Sequence, residues 1–281
     1  MAVQKLCVLA MALLCAAVQG FVVVSPRILW HQKVQPLMSA HGDEELDVIP
    51  DVKQLDWRAF RANLVRRSRE EGFGGSSAAA AARRKWRDDA WAHEIGVVEK
   101  GCVLLAHETL QGVFHQTAVL VLDHDDNAGT LGLILNRPTK RRIAGVPGLG
   151  RDMQAAFGQC AVHYGGPVGA GGMTALHGVK QARGGQEIAP GLYVGGFEDL
   201  VRLAQEGRVD GSSLRLAHGH AAWGPGQLSR ELRADFWYLA AAAPALVTGA
   251  GAAGRAPSRM WHQLLDLMGG SYAEVARRNS T

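Results

Sequence analysis

Residues 117–135 read TAVLVLDHDDNAGTLGLIL. Thr117–Leu122 and Leu131–Leu135 are short, apolar and β-branched, as strands are. Between them, Asp123–Gly129 is rich in Asp, Asn and Gly, which tolerate left-handed backbone, so the stretch predicts a β-hairpin. Working outward, Cys102–Ala106, Ala161–Tyr164, Met173–Gly178, Leu192–Gly195 and Leu214–Gly219 predict further strands.

Helical spacing interrupts these strands. Phe197, Leu200, Val201 and Ala204 mark an amphipathic helix ended near Gly207, and Met260, Leu264 and Met268 mark a last helix stopped by Gly269-Gly270. Pro225 suits the first position of another helix, with Leu228 and Leu232 on its buried side. Ala245–Ser258 reads as a Gly/Ala-rich loop. Upstream, residues 51–71 predict an N-terminal helix in which Trp57, Phe60 and Leu64 share one face. Residues 72–88 read as a low-complexity linker that ends in the basic run Arg83–Arg87, a solvated face. Residues 91–281 then form the main domain. Strands and helices alternate without a regular βαβ repeat, so the fold class is α+β.

Gly is frequent, 35 of 281 residues, which favours turns and short strands over long helices. The leader carries its own signal. Lys5 precedes the apolar run Leu6–Ala17, about 12 residues and too short to span a bilayer comfortably, and Val18–Gly20 supplies small residues for cleavage. Residues 1–20 therefore read as a signal peptide. Residues 21–45 begin with Phe21, are basic and hold no acid before Asp43, which suggests a transit peptide for a complex plastid. The alternative is a secreted protein, against which the scarcity of cysteines after the leader argues. No later run is long enough to cross a membrane.

From Gly101 onward 16 Lys/Arg face 14 Asp/Glu, a near balance that argues against specific nucleic-acid binding. Cys102 and Cys160 remain after the leader and read as buried thiols on strands, not a disulfide framework. Asp123-x-Asp125-x-Asn127 starts like a calcium loop, but Gly129 falls one place late and Ile134 stands where a bidentate Glu belongs. His218-x-His220 puts two imidazoles on one strand face, short of the three or four ligands zinc needs. Gly165–Gly172 lacks the Lys-Ser/Thr pair of a phosphate loop and reads as a turn with close backbone approach. No metal and no cofactor is expected.

Several blocks together resemble the YqgE/AlgH family. Gly101–Ala106 is similar to its opening strand, and Thr117–Leu122 with Gly132–Leu135 and Asn136-Arg137-Pro138 to its central hairpin. Tyr164-Gly165-Gly166-Pro167 with His177 resembles its Gly-Gly-Pro block. Trp223-Gly224-Pro225-Gly226-Gln227-Leu228, with Glu231 and Trp237, resembles its Gly-Trp-x-x-x-Gln-Leu block, although His220-Ala221-Ala222 replaces the usual Tyr and Gly. Asp56–Phe60 and Leu264–Tyr272 look like the longer plastid version. The resemblance implies a β-barrel-like, bifurcated sheet surrounded by helices, and it brings no catalytic residues.

The residues leave three functions open. The first is a non-catalytic regulatory or binding protein in the plastid, with Trp223 and Gln227 at a strand-to-helix junction facing a partner segment or small molecule. The second is an enzyme whose pocket gathers Arg137, His177 and Gln227. The third is a nucleic-acid-associated transcriptional regulator. A structural role competes at every signature position. Asn136 can cap a turn before Pro138, Gly165, Gly166 and Gly224 can permit backbone geometry that side chains forbid, and Trp223 can be core.

Overall fold

The structure, a computed structural model, describes residues 56–72, 90–249 and 257–280. The signal peptide, the transit-like segment and the linker expected over 1–20, 21–45 and 72–88 lie outside the described residues, save Gly72. Eleven strands are described: β1 (Ala92–Glu94), β2 (Val103–Ala106), β3 (Ala118–Asp125), β4 (Gly129–Ile134), β5 (Pro138–Arg142), β6 (Ala161–Tyr164), β7 (Val168–His177), β8 (Gly185–Ala189), β9 (Leu192–Gly195), β10 (Leu214–Trp223) and β11 (Trp237–Ala242). The helices among them are α1 (Trp57–Gly72), α2 (Arg151–Phe157), α3 (Phe197–Gln205), α4 (Gln227–Arg233), α5 (Pro244–Thr248), α6 (Met260–Met268) and α7 (Gly270–Arg278).

The strands run in the order β1-β11-β2-β3-β4-β10-β7-β9-β8, with β6 and β5 branching from β10. The order does not close on itself, so this α+β sheet is not a closed barrel. Every pairing is antiparallel except β6 with β10. The branch has a local cause. Over Leu216–His218, β10 lies between β6 and β7, and past a bulge at Gly219 its residues Ala221–Trp223 pair with β4. Gly219 takes φ +78°, and a Cβ there would sit 2.3 Å from the Gly166 carbonyl oxygen. The Gly165-Gly166 pair fits against this bend, where Cβ atoms would fall 2.1 Å from the Gly219 oxygen and the His220 carbonyl carbon. This is the close backbone approach the glycine run suggested, and β7 already begins at Val168 within that run.

The hairpin is apolar over Ala118–Leu122 and Leu133–Leu135 because both faces are covered there. Val103, Leu105, Leu120, Leu133 and Leu135 pack with Trp261, Leu264 and Met268 of α6. Their alternating neighbours Leu104, Val119, Val121 and Ile134 pack with Trp223, Leu228 and Trp237 on the other side. The Trp261 indole N–H donates to the Ala106 carbonyl at 2.9 Å, fixing α6 to the sheet. A third core gathers Ile143, Phe157, Leu200, Leu203 and Leu216 beneath α2 and α3.

Several expectations change in detail. Gly269-Gly270 is a joint rather than an end: Gly269 closes α6 with φ +74°, and the chain resumes as α7. Pro225 precedes α4 instead of opening it, because Gly226 holds the capping position with φ +63°. Ala245–Thr248, expected in a loop, belongs to α5, while 250–256 lie outside the described residues. Neither thiol is on a strand. Cys102 is buried just before β2, its pKa pushed up to about 12 by desolvation, and Cys160 is half-buried before β6. Trp57, Phe60 and Leu64 do share a face of α1, but that face is exposed. The helix seats through Ala62 and Arg58, whose Nε donates to Glu99 at 3.1 Å.

Candidate functional site

The block at the end of β10 is organised by Glu231, a residue outside the candidate pocket set of Arg137, His177, Trp223 and Gln227. Glu231 sits one turn after Gln227 on α4, so its carboxylate faces back toward the strand end. It accepts from the Trp223 indole at 2.9 Å, the Trp237 indole at 2.8 Å and the Gln227 amide at 2.9 Å. Gln227 Oε1 in turn accepts the Gly224 N–H at 3.1 Å. The two indoles meet edge to face with centroids 5.8 Å apart, and Trp223 is 3% exposed. The hairpin tip closes over the far side, where Asp126 accepts from the Gly226 N–H and the Ser229 hydroxyl. An acid four residues after Gln227, between two tryptophans, was the available signal for this hub.

Asn136 is fully buried. Its amide oxygen accepts the Ala118 N–H at 3.0 Å and its NH2 donates to the Gln116 carbonyl at 2.8 Å. Arg137 reaches the same entry to β3, donating to the Thr117 hydroxyl at 3.0 Å and to the His115 carbonyl. Pro138 then opens β5. The Asn-Arg-Pro run thus ties the end of β4 to the start of β3, the strand it pairs with.

His177 is also fully buried, at the end of β7. Its Nδ1 accepts the Val179 N–H at 3.2 Å, which leaves Nε2 to donate to the Gly195 carbonyl at 3.3 Å. The ring stacks on Tyr193. Burial holds its pKa below the ordinary histidine value, in keeping with a neutral ring that fills both of these bonds. Trp223 and Gln227 are therefore brought together through Glu231, while Arg137 and His177 each serve a separate strand end. Gly166 and Pro167 lie at the bend between β6 and β7.

Among the described residues no group of three or more His, Cys, Asp or Glu is arranged to hold a metal ion. His218 and His220 flank the Gly219 bulge, and His220 Nε2 is 2.8 Å from the Thr174 hydroxyl. In the calcium-like turn, Asp125 accepts the Asn127 and Ala128 N–H groups at 2.7 and 3.0 Å, as a turn-former does.

A groove opens elsewhere, between α2 and α3 with Met173 of β7 in it. Its volume is about 530 Å3, within the usual range for ligand sites. Leu149, Met153, Met173, Phe197 and Val201 line it, and the exposed carboxylates of Asp152 and Glu198 stand at its rim. Two methionines and a phenylalanine make an apolar surface that can repack around different side chains. Behind it, Asp199 anchors α3 by accepting from Arg202 and from the Arg183 N–H, at 2.9 Å each; these bonds, Arg202's first, hold its carboxyl well below the usual range.

Comparison with known proteins supplies the remaining finding. A protein-family profile described as AlgH-like (DUF179) matches residues 103–273. A UPF0301 protein of Chlorobium chlorochromatii is 33% identical over 193 residues, which is 66% of this chain and 94% of that protein. A UPF0301 protein of Chlamydia felis is 33% identical over 188 residues, covering 64% and 92% respectively. A crystal structure of a Corynebacterium diphtheriae protein superposes with a TM-score of 0.53 over 65% of this chain and 94% of the other, at 22% identity, a likeness of fold. The matched span begins at the opening strand β2 and takes in the hairpin, the Gly-Gly-Pro bend and the Glu231 hub, and by that match the chain belongs to the AlgH-like family.

Proposed function

We propose that the protein is a non-catalytic regulatory or binding protein of the plastid, and that its α2–α3 groove takes a segment of a partner protein. The observation that carries this reading is the groove itself: apolar, Met- and Phe-lined, and rimmed by two carboxylates. A segment with two or three large apolar side chains beside a Lys or Arg would fill the floor and meet Asp152 and Glu198. The signature residues support the reading indirectly, since Trp223, Gln227, Asn136 and His177 direct their polar groups inward.

Display of random peptides against the full chain tests it. Enriched peptides should combine large apolar residues with a flanking base. Glu198→Lys should shift the preference toward Asp and Glu, and Val201→Arg should abolish enrichment. Enrichment that survives Val201→Arg, or no enrichment by the wild type, overturns the reading. The plastid assignment rests on the basic, acid-free stretch after Phe21. N-terminal sequencing of the native protein should place the mature start between residues 38 and 55. A mature chain that retains residues 21–35 removes that assignment.

A further inference from the structure

Three large apolar side chains of α1 are exposed together. Trp57 is 51% exposed, Leu64 47% and Phe60 40%. The Trp57 and Phe60 rings meet edge to face with centroids 5.5 Å apart. At about 100° of helical turn per residue, the three fall within about 60° of one another around the helix. The side that seats α1 lies roughly opposite, where Ala62 and Arg58 are buried and Arg58 Nε donates to Glu99 at 3.1 Å. Single exposed apolar residues are ordinary, but a contiguous stripe turned away from the domain marks an interaction surface.

The charges beside the stripe select its partner. Arg61, four residues after Trp57, borders it on one side, and its Nη2 is held by Glu99 at 2.6 Å. Arg67, seven residues after Phe60, borders it on the other side and is exposed. No acid occurs in α1 before Glu70. A second copy laid on the stripe would therefore bring arginine against arginine, which is unfavourable. An anionic bilayer surface complements both features. Its headgroup region takes up Trp, Phe and Leu side chains, and its lipid phosphates meet the flanking guanidiniums. We infer that α1 docks the domain on the surface of a membrane that carries anionic lipid, with Trp57, Phe60 and Leu64 inserted among the headgroups. The inference stands apart from the α2–α3 groove.

Co-sedimentation of the full chain with lipid vesicles tests it. Vesicles of phosphatidylcholine and phosphatidylglycerol in equal parts should bind the protein at least about fivefold more tightly than phosphatidylcholine alone. The apolar run Leu6–Ala17 can also enter lipid, so the share of α1 is read from variants that leave that run intact. Trp57→Gln, Phe60→Gln and Leu64→Gln together should lower partition by at least about tenfold. Arg67→Glu alone should lower it about fivefold. Arg230→Gln with Arg233→Gln, an equal change of charge on α4, should leave it unaltered. Brominated lipid gives a local reading: it should quench the fluorescence of the wild type more than that of Trp57→Phe, because Trp57 enters the headgroup region. Equal partition by the folded triple variant, equal binding to neutral vesicles, or equal quenching of wild type and Trp57→Phe overturns the inference. So does a wild type that self-associates in buffer while the triple variant stays monomeric, which would assign the stripe to a second copy.

Discussion

At the C-terminal end of β10, Trp223 hands its indole N–H to Glu231, which also collects Trp237 and Gln227. Toward the N-terminal end of the same strand, Arg215 is as thoroughly buried, yet its Nε and both nitrogens of neighbouring His163 meet no acceptor or donor. One strand therefore carries two kinds of buried polar chemistry. At the first end each group completes another, and removing one leaves the others unsatisfied. At the second end the groups are already incomplete. Removing one should then cost folding less than at the first end, so stability separates the two ends.

The largest stability effect should fall at the paired end. Trp223→Ala removes a nearly inaccessible indole from the core it shares with Leu228, Trp237 and the outer face of β3. Loss of burial plus the resulting cavity should destabilise the protein by about 3–5 kcal/mol, read from denaturant midpoints. Near wild-type stability would mean that the clamp is not structural and would blur the contrast between the two ends.

Acid should weaken the unpaired end next. Burial first, and Arg215 second, push the His163 pKa down from 6.5 to about 4. Above pH 6.5 the ring is neutral in both folded and unfolded chains, so this histidine adds no pH dependence. Between about 6.5 and 4 the unfolded chain takes up a proton that the folded chain refuses, and stability falls as pH drops. The loss reaches an order of 3 kcal/mol by about pH 4. His177 and His93, also lowered by burial, act in the same direction. The difference between wild type and His163→Leu from about pH 7.5 to about pH 4.5 isolates the one ring, and parallel curves would place His163 in contact with water.

Glu231→Leu should come third. It strips the acceptor from two buried indoles and the Gln227 amide, while the leucine fills part of the space. A loss of about 1–3 kcal/mol is expected, with Gln227→Leu smaller because one backbone N–H at Gly224 loses its partner. Urea titrations of both variants check the order.

Much of the scaffold was legible because it depends on neighbours in sequence. The apolar, β-branched runs around Val119–Val121 and Leu133–Leu135 flank a turn-rich stretch and so read as strands, and Asp125 makes its turn with Asn127 and Ala128. The features that escaped depend on distant contacts. Trp57, Phe60 and Leu64 have helical spacing, but the covered face of α1 is decided by where Arg58 meets Glu99. Gly269-Gly270 can stop a helix or join two, and the helix-forming residues Ser271–Arg278 make it a joint. Arg215 looks like an ordinary polar position on a strand. Only α5 and α6, brought over β10 from later in the chain, turn it into a buried cation, and no local pattern announces that.

The smallest stability effect should come from Arg215→Met, and the reason is the contrast itself. The guanidinium is a charge held away from water that, among the described residues, donates from one terminal nitrogen to the Leu135 carbonyl and leaves Nε without a partner. Methionine keeps much of the unbranched stem and its packing against Leu246 and Met260, removes the desolvated charge, and leaves one carbonyl short of a donor. Loss of that hydrogen bond, about 1 kcal/mol, opposes relief of the buried charge, which is of similar size or larger. The net change should lie within about 1 kcal/mol of zero, on either side. Because Arg215 is also the second cause of the lowered His163 pKa, the variant should flatten the acid limb of the stability curve as well. If Arg215→Met instead loses several kcal/mol, the guanidinium is a paired structural element like Trp223, and the two ends of β10 are alike.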